Sequence, residues 1–208
     1  MARPKGDASV NAARKRDILK AAFDVFSRDG YQGSSLSQIS EIVGITEAGI
    51  LHHFKSKANL LVEVLAYRDE ATQALFDGFN TDGIGFVKAW LNLVRYNISV
   101  PGIVELFAVI SAEATRADHP AHEFFKSRYA DTIELSTAGM VDLQAKGYLN
   151  PGLAPDDLGR AIVALSDGLQ VQWLLDRSIN MVAFHEKFWE QYLTADAWKW
   201  VQSDRAAD

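Results

Sequence analysis

The chain has 208 residues, of which 48% are hydrophobic, and it carries a formal net charge of −6 and no cysteine. This apolar fraction is enough for a substantial core, and the lack of cysteine excludes disulfides and thiolate metal sites. Since no amino-terminal apolar run and no membrane-length segment occur, we expect a cytoplasmic protein without a membrane partner.

Charge is unevenly distributed along the chain. Residues 1–60 hold nine Lys and Arg against six Asp and Glu, whereas the remainder holds twelve against twenty-one. A basic amino-terminal part on an acidic body is typical of a protein that meets phosphates at one end.

The first ten residues are polar and lack apolar periodicity, so we predict a disordered arm over residues 1–10. Arg3 and Lys5 either reach phosphates or the minor groove, as basic arms do, or belong to a solvated tail. A first helix is predicted over about residues 11–29, with Gly30 at its end. Its apolar stripe is formed by Ile18, Leu19, Ala22, Phe23 and Phe26.

Residues 36–54 have the pattern of two short helices with a break at Gly44. Ser35 and Gln38 have the spacing of a capping box, which satisfies backbone N–H groups at a helix start. Gly44 accommodates the positive φ that a sharp helix end requires. Thr46 then acts as the N-cap of the second helix.

The second short helix is small at its front, where Ala48 and Gly49 stand, and Ile50 and Phe54 anchor it to the core. Ser56 caps a further helix, whose amino end attracts anions. This arrangement favours a helix-turn-helix whose second helix enters the major groove of DNA. The same spacing also occurs in compact helical corners without that function.

The rest of the chain also reads as helical. Further helices are predicted over about residues 56–77, 84–99, 101–116, 120–146, 155–177 and 182–201, because Gly, Asn and Pro separate long apolar-periodic segments. The expected fold is therefore all-α with about nine helices: a three-helix helix-turn-helix domain followed by a helical body.

Bulky apolar residues dominate the middle of the body. They form either a structural core or, with a few polar groups among them, the wall of a small-molecule cavity. Candidate pocket residues are Trp90, Val94, Asn97, Phe107, Ile110, Phe125, Tyr129, Ile133 and Trp173.

The last two helices carry apolar and aromatic residues at helical spacing. These either pack within the chain or form a four-helix bundle with a second copy, and we favour the homodimer. The predicted interface residues are Leu165, Leu169, Trp173, Phe184, Phe188 and Tyr192.

Residues between about 12 and 61 resemble the amino-terminal domain of the TetR family of bacterial transcriptional regulators. The matching residues are Arg16, Ile18, Leu19, Ala21, Ala22, Phe26, Gly30, Tyr31, Ser35, Leu36, Ile39, Gly44, Ile45, Thr46, His52, Phe54, Lys57 and Leu60. The stretch from Ala161 to Met181 is similar to the dimerisation region of one TetR subgroup. The resemblance implies a DNA-binding domain over 11–56 and an effector-binding and dimerisation domain over 57–208.

By this resemblance, a dimer binds a palindromic operator and is released as a repressor when a small-molecule effector binds the body. The implied DNA-binding residues are Ser35, Ser37, Thr46, Glu47, Ala48, Gly49, Leu51, His52, His53 and Lys57. Ser35 and Lys57 are expected at phosphates and Glu47 to Gly49 at base edges, while His52 either contacts a base or is partly packed. The sequence leaves open the effector, the operator and activation in place of repression.

Leu51 departs from the family, which usually has tyrosine at this position. Leucine cannot donate a hydrogen bond to a phosphate, although it fits against a thymine methyl. The departure leaves room for an alternative: a helical small-molecule-binding or interaction protein without DNA binding.

Enzymatic activity is not expected, because no nucleophile, P-loop or H-E-x-x-H pattern occurs. His119 and His122, with Glu123 beside them, have the spacing of a weak metal site, but a solvated helix start has the same composition. We therefore expect no metal and no cofactor.

Overall fold

The computed structural model describes residues 5–77 and 83–203, and their side chains except at 5–9 and 70–77. Every regular element in these ranges is an α-helix, which confirms the all-α fold. The helices are α1 Lys5–Gly33, α2 Leu36–Val43, α3 Glu47–Phe54, α4 Lys57–Asp77, α5 Gly83–Ser99, α6 Pro101–Glu113, α7 His122–Ala145, α8 Pro155–Leu175, α9 Met181–Tyr192 and α10 Ala195–Ser203.

The amino-terminal helix begins earlier than expected. The predicted disordered arm over residues 1–10 is wrong from Lys5 onward, because α1 starts there. Extending an existing helix adds one hydrogen bond per residue without a new nucleation step, so a polar segment without periodicity can still continue a helix. Residues 1–4, with Arg3, lie outside the described residues.

The single last helix predicted over 182–201 is two helices, α9 and α10, so ten helices are described in place of about nine. Leu193 between them is extended (φ −82°, ψ 151°) and pairs with Leu149 in an isolated bridge. Asn150 N–H donates to the Tyr192 carbonyl at 2.9 Å, and Thr194 N–H donates to the Tyr148 carbonyl at 2.8 Å. Hydrogen bonds from a distant turn therefore interrupt a segment that contains neither Gly nor Pro.

The chain divides into two compact units. The first comprises Met1–Glu70 with Glu105–Phe125, and the second comprises Ala71–Val104 with Lys126–Asp208. This division differs from the predicted boundary between residues 56 and 57. Three helices, α4, α6 and α7, contribute residues to both units, since none of them is interrupted at the division.

The first unit has a core built from α1 to α4 with the later part of α6. Its fully buried apolar side chains include Ile18, Ala22, Val25, Phe26, Ile39, Ile50, Phe54, Leu60, Leu61, Leu65, Leu106 and Ile110. Most of the core predicted for the three-helix domain is present. Ile45 is only half-buried, and Ser40, expected outside, is buried with its hydroxyl donating to the Ser37 carbonyl at 2.8 Å.

The second unit is an aromatic-rich helical bundle in which α5 packs on α9 and α10, and α8 packs on α9. Helices α7 and α8 cross closely at Gly159, where an added Cβ would lie 2.5–2.9 Å from Thr137 atoms. The buried core includes Phe86, Trp90, Val94, Met140, Ile162, Leu169, Trp173, Met181, Trp189 and Trp198.

Helix length and apolar composition decide whether a segment in the part of the chain that the structure describes could span a membrane. No single helix there is long and apolar enough to cross a bilayer, and α5 with α6 reaches that composition only as a pair bent by 97°.

Candidate nucleic-acid interface

Helix α2 is held at its start by the predicted capping box. The Gln38 N–H donates to Ser35 Oγ at 3.2 Å, and the Ser35 N–H donates to Gln38 Oε1 at 2.7 Å. Gln38 Nε2 also donates to Asp29 Oδ2 at 3.1 Å, which fixes the start of α2 against α1. Ser35 and Ser37 remain exposed at this helix start.

The turn between α2 and α3 has the geometry that its residues predicted. Gly44 is left-handed (φ 70°, ψ 38°), and its N–H donates to the Ser40 carbonyl. Thr46 caps α3 by accepting the Gly49 N–H at 3.1 Å. The next helix starts in the same way, because Ser56 Oγ accepts the Asn59 N–H at 3.0 Å.

Helix α3 turns one face into the core and the other outward. Ile50 and Phe54 are buried, as predicted. The outward face holds Glu47, Ala48 and His52, all exposed, and Leu51 with 39% of its surface exposed, while Gly49 and His53 are half-buried. The alternative that His52 is packed is therefore wrong for the isolated chain, and the exposed face remains available for a partner.

The carboxyl end of α3 lies in positive surroundings. Burial lowers the pKa of His53, and the positive neighbours His52, Arg14 and Lys15 lower it further. Lys15 lies 5.4 Å from the centroid of the Phe54 ring and pairs with Glu63. Helix α1 thus adds two cationic side chains, Arg14 and Lys15, beside the helix-turn-helix, and the motif itself gives no signal for them.

Lys57 takes a different place from the one predicted. Its ammonium donates to the backbone carbonyls of Tyr31 and Ser34 and lies 4.5 Å from the centroid of the Tyr31 ring. In this structure the side chain caps the end of α1 rather than extending toward a phosphate. The signal for this role was the set of unpaired carbonyls that every helix leaves at its carboxyl end.

The predicted pocket residues are distributed over both units. Phe107, Ile110 and Phe125 lie in the first unit; Trp90, Val94, Asn97, Tyr129, Ile133 and Trp173 lie in the second. In the second unit Trp90, Val94, Asn97 and Trp173 are buried, and Tyr129 and Ile133 pack against the core cluster. The structure therefore groups six of these residues in one bundle and leaves their role as ligand contacts a prediction.

Polar groups are enclosed in that same bundle. The indole N–H groups of Trp90 and Trp189 are buried and find no acceptor among the described residues. Burial raises the pKa of Asp167, although a hydrogen bond with Tyr129 and the charge of Arg128 act in the opposite direction. The indole groups are buried and Asp167 is half-buried, and a few polar groups among apolar side chains are what orient a small molecule in a binding site.

Two of the predicted dimer residues are unavailable for an interface. Leu169 and Trp173 have only 5% and 6% of their surface exposed, because they point into the core of their own chain. Leu165, Phe188 and Tyr192 are half-buried, and Phe184 is 47% exposed. The exposed face of α8 instead contains Ala161, Ala164, Gly168, Val171 and Leu175.

The two histidines considered as metal ligands turn to different partners. His122 Nδ1 lies 2.8 Å from the Ala114 carbonyl, whereas His119 is buried with its ring 5.1 Å from that of Tyr31. Burial lowers the pKa of His119, and Glu113, 3.5 Å from its Nε2, opposes this shift. Both imidazoles are thus used in packing the segment after α6.

Known proteins resemble this chain most strongly in its amino-terminal residues. A family model described as bacterial regulatory proteins, tetR family, matches residues 18–64. The transcriptional regulator RutR of Escherichia coli K12 is 43% identical over 54 residues, and this match spans only 26% of either chain. UidR, another regulator of that strain, is 28% identical over 153 residues, which are 73% of this chain and 77% of UidR.

The fold extends the likeness beyond the amino-terminal domain. A regulator from Saccharomonospora viridis, solved in complex with choline, superposes with a TM-score of 0.75 at 20% identity, covering 88% of this chain and 99% of that one. Residues 18–64 thus match the TetR family of bacterial regulatory proteins in sequence, and the described chain shares the fold of solved regulators.

Proposed function

We propose that the protein is a ligand-responsive transcriptional regulator that binds double-stranded DNA as a homodimer. The observation that carries this proposal is the outward face of α3, which is accessible, small at its front and flanked by cationic side chains. An α-helix fits the major groove, which is about 12 Å wide, and small residues allow its backbone to approach the bases.

The exposed residues suit distinct parts of a DNA duplex. The starts of α2 and α3, with Ser35, Ser37 and Thr46, offer backbone N–H groups and hydroxyls to phosphates. Glu47 accepts a hydrogen bond from cytosine N4, and Leu51 packs on a thymine methyl. His53, beside Arg14 and Lys15, meets the sugar-phosphate backbone.

A second copy is proposed to pack on the exposed face of α8 together with Phe184 of α9. On this face Val171 is 49% exposed and Leu175 is 85% exposed. The small residues Ala164 and Gly168 at its centre allow a second helix to approach closely. Two symmetric copies present their recognition helices to successive major grooves, about 34–36 Å apart, so the operator is a palindrome.

The effector is proposed to bind in the second unit, where Trp90 and Asp167 combine an apolar wall with enclosed polar groups. The similar regulator from Saccharomonospora viridis was solved in complex with choline, which supports a small-molecule effector for this fold. Effector binding is proposed to lower DNA affinity, so that the regulator is a cytoplasmic repressor released by its ligand.

The test is a selection of preferred duplexes from a random pool, followed by mobility-shift titration at several salt concentrations. We expect a palindromic consensus and an affinity that falls steeply with salt. Addition of a metabolite extract should weaken the shift if the protein is a releasable repressor, and strengthen it if the effector activates binding.

The rival reading is a helical ligand-binding or interaction protein that does not engage DNA, which Leu51 favours. It predicts no enriched sequence in the selection and no salt-sensitive shift with or without extract. That result would overturn the proposed function.

A further inference from the structure

The peptide at Tyr31 lies where α1 gives way to the helix-turn-helix. Gly30 interrupts the helical geometry of α1 with φ 66° and ψ −177°, a backbone region used almost only by glycine. The chain therefore bends one residue before Tyr31, and the bend sets the direction in which the chain continues to α2.

Helix α6 holds the N–H of this peptide. The carboxylate of Glu113, the last residue of α6, accepts the Tyr31 N–H at 2.9 Å through Oε2. The other oxygen of this carboxylate, Oε1, would lie only 2.5 Å from a Cβ added at Gly30. Glycine is thus required at position 30 by its backbone conformation, and a side chain there would also displace the carboxylate of Glu113.

Helix α4 holds the backbone carbonyl of Tyr31, which belongs to the next peptide. The Lys57 ammonium, in the first turn of α4, donates to the carbonyls of Tyr31 and Ser34. Burial lowers the pKa of this ammonium, and the negative charge of Glu113 opposes the shift. A carboxylate and an ammonium from two helices therefore hold the two backbone polar groups of one residue, Tyr31.

We propose that this Tyr31 clamp, formed by Glu113 and Lys57, is what orients the helix-turn-helix, and that Glu113 is the positioning residue through which α6 controls DNA affinity. The inference rests on the proposed function, since it assigns a regulatory contact to the same DNA-binding unit. Because α4 and α6, which carry the two clamp residues, each have residues in both units, each is suited to carry a displacement from the second unit to the clamp.

The clamp offers a graded set of variants. Glu113→Gln keeps an acceptor but removes the charge, and charge-assisted hydrogen bonds are roughly twice as strong as neutral ones. Glu113→Ala removes the acceptor altogether. Glu105→Gln is the matched control, because this carboxylate, two turns earlier on α6, has no hydrogen bond or ion pair among the described side chains.

The first measurement is affinity for the duplex that the wild-type protein selects from a random pool, corrected for the concentration of folded protein. We expect about a threefold loss for Glu113→Gln, about a tenfold loss for Glu113→Ala and none for Glu105→Gln, in the range of ordinary coupling between sites. Amide exchange at Tyr31 should accelerate in the same order, while the thermal midpoint of unfolding changes by only a few degrees.

The second measurement is a double-mutant cycle with Lys57→Met, because the two side chains hold the backbone of one residue, Tyr31. We expect the combined loss of affinity to be smaller than the product of the single losses. Lys57→Met should leave the salt dependence unchanged if the ammonium belongs to the clamp, whereas loss of a phosphate contact would lower the salt slope by about one.

Each outcome bears on one claim. If Glu113→Ala binds the selected duplex as tightly as the wild type, or if its loss disappears after correction for folded protein, Glu113 has no positioning role. Additive losses in the cycle, or a lowered salt slope for Lys57→Met, would likewise overturn the clamp. If the wild type selects no duplex, the proposed function fails instead.

Discussion

Helices α3 and α8 each present an open face, and the two faces differ in chemistry. On α3 the open positions hold a carboxylate, an imidazole and small side chains, whereas on α8 they hold Ala164, Gly168, Val171 and Leu175. Exposure of apolar surface to water is unfavourable by roughly 25 cal/mol per Å², so burial of the α8 face in a permanent interface would be favourable. The polar α3 face is well solvated without a partner, so it suits reversible binding to a charged partner.

The two helices are also supported differently. Helix α3 is short and depends on local caps, with Thr46 at its start and the Lys55 N–H bonded to the Leu51 carbonyl at its end. Helix α8 is held to α9 by a buried contact, since the Ser166 hydroxyl lies 2.8 Å from His185 Nε2. A neutral imidazole satisfies this arrangement, because its Nδ1–H can donate to the Met181 carbonyl 2.8 Å away.

The largest effect is expected from charging the α8 face. Val171→Asp combined with Leu175→Asp places two carboxylates in the proposed dimer interface, so we expect monomers in sedimentation equilibrium at micromolar concentration. Affinity for a palindromic duplex should fall about 100-fold or more, because two linked half-sites no longer bind together.

The control for this change is Val141→Asp, which charges an apolar residue of α7 that is likewise 50% exposed. It should leave both the dimer and the DNA affinity in place. Dimers of unchanged stability in the doubly charged variant would show that a different surface pairs the subunits.

A smaller effect is expected from filling the front of α3. In Gly49→Val the added Cβ meets Thr46 Oγ1 at 3.6 Å and Ile45 atoms at 3.7 Å, which are ordinary contacts, so the fold should tolerate it. The remaining methyl groups stand between α3 and the bases, and we expect a loss of DNA affinity of about 10- to 100-fold. The thermal midpoint, measured in parallel, should move by a few degrees at most; undiminished DNA binding would contradict the assigned face.

Glu47→Gln should change sequence preference more than affinity. A carboxylate accepts from cytosine N4, and a well-formed base contact of this kind contributes about 1–3 kcal/mol to discrimination. Duplex selection with the variant should relax one cytosine in each half-site. Glu41→Gln, which removes an exposed charge from α2, should keep the original consensus; if both variants keep it, Glu47 does not contact a base.

The smallest effect concerns acid stability. Burial lowers the pKa of His185, with the hydrogen bond to Met181 acting the other way. In the unfolded chain His185 binds a proton near pH 6.5, whereas in the folded chain it does so only at lower pH. The unfolding free energy is therefore highest above about pH 6.5 and decreases as the pH falls below it. The slope for one proton is at most about 1.4 kcal/mol per pH unit.

His185→Gln should therefore flatten the dependence of unfolding free energy on pH between 6.5 and 5, measured by urea denaturation. His122→Gln serves as the control for loss of an imidazole and should keep the wild-type slope. An equal slope in the wild type and in His185→Gln would mean that other groups cause the acid sensitivity.

Local signals made the helix-turn-helix readable from sequence. The Ser35–Gln38 capping box, the left-handed Gly44 and the Thr46 cap depend on residues within a few positions of one another, and the structure contains all three. The site was less predictable where a contact joins distant segments of the chain. Lys57 donates to carbonyls near residue 31, and this contact depends on how α4 packs against α1.

The same limit explains the errors in the carboxy-terminal half. Helix α8 is apolar on more than one side, so periodicity could not tell that Leu169 and Trp173 face inward while Val171 and Leu175 face outward. The break between α9 and α10 depends on pairing with residue 149, more than forty positions earlier by sequence. Neither fact leaves a local mark.

Cells often contain several regulators of one fold, and their subunits must not mix. At Gly168 an added Cβ meets no atom of its own chain within 4 Å, so the size of this residue matters only to whatever lies across the face. In the proposed dimer, a different regulator with a bulky residue there would be held farther away than an identical subunit, and shape alone would disfavour the mixed dimer. Two regulators of the same fold can in this way avoid forming mixed dimers because one of them has glycine at this position.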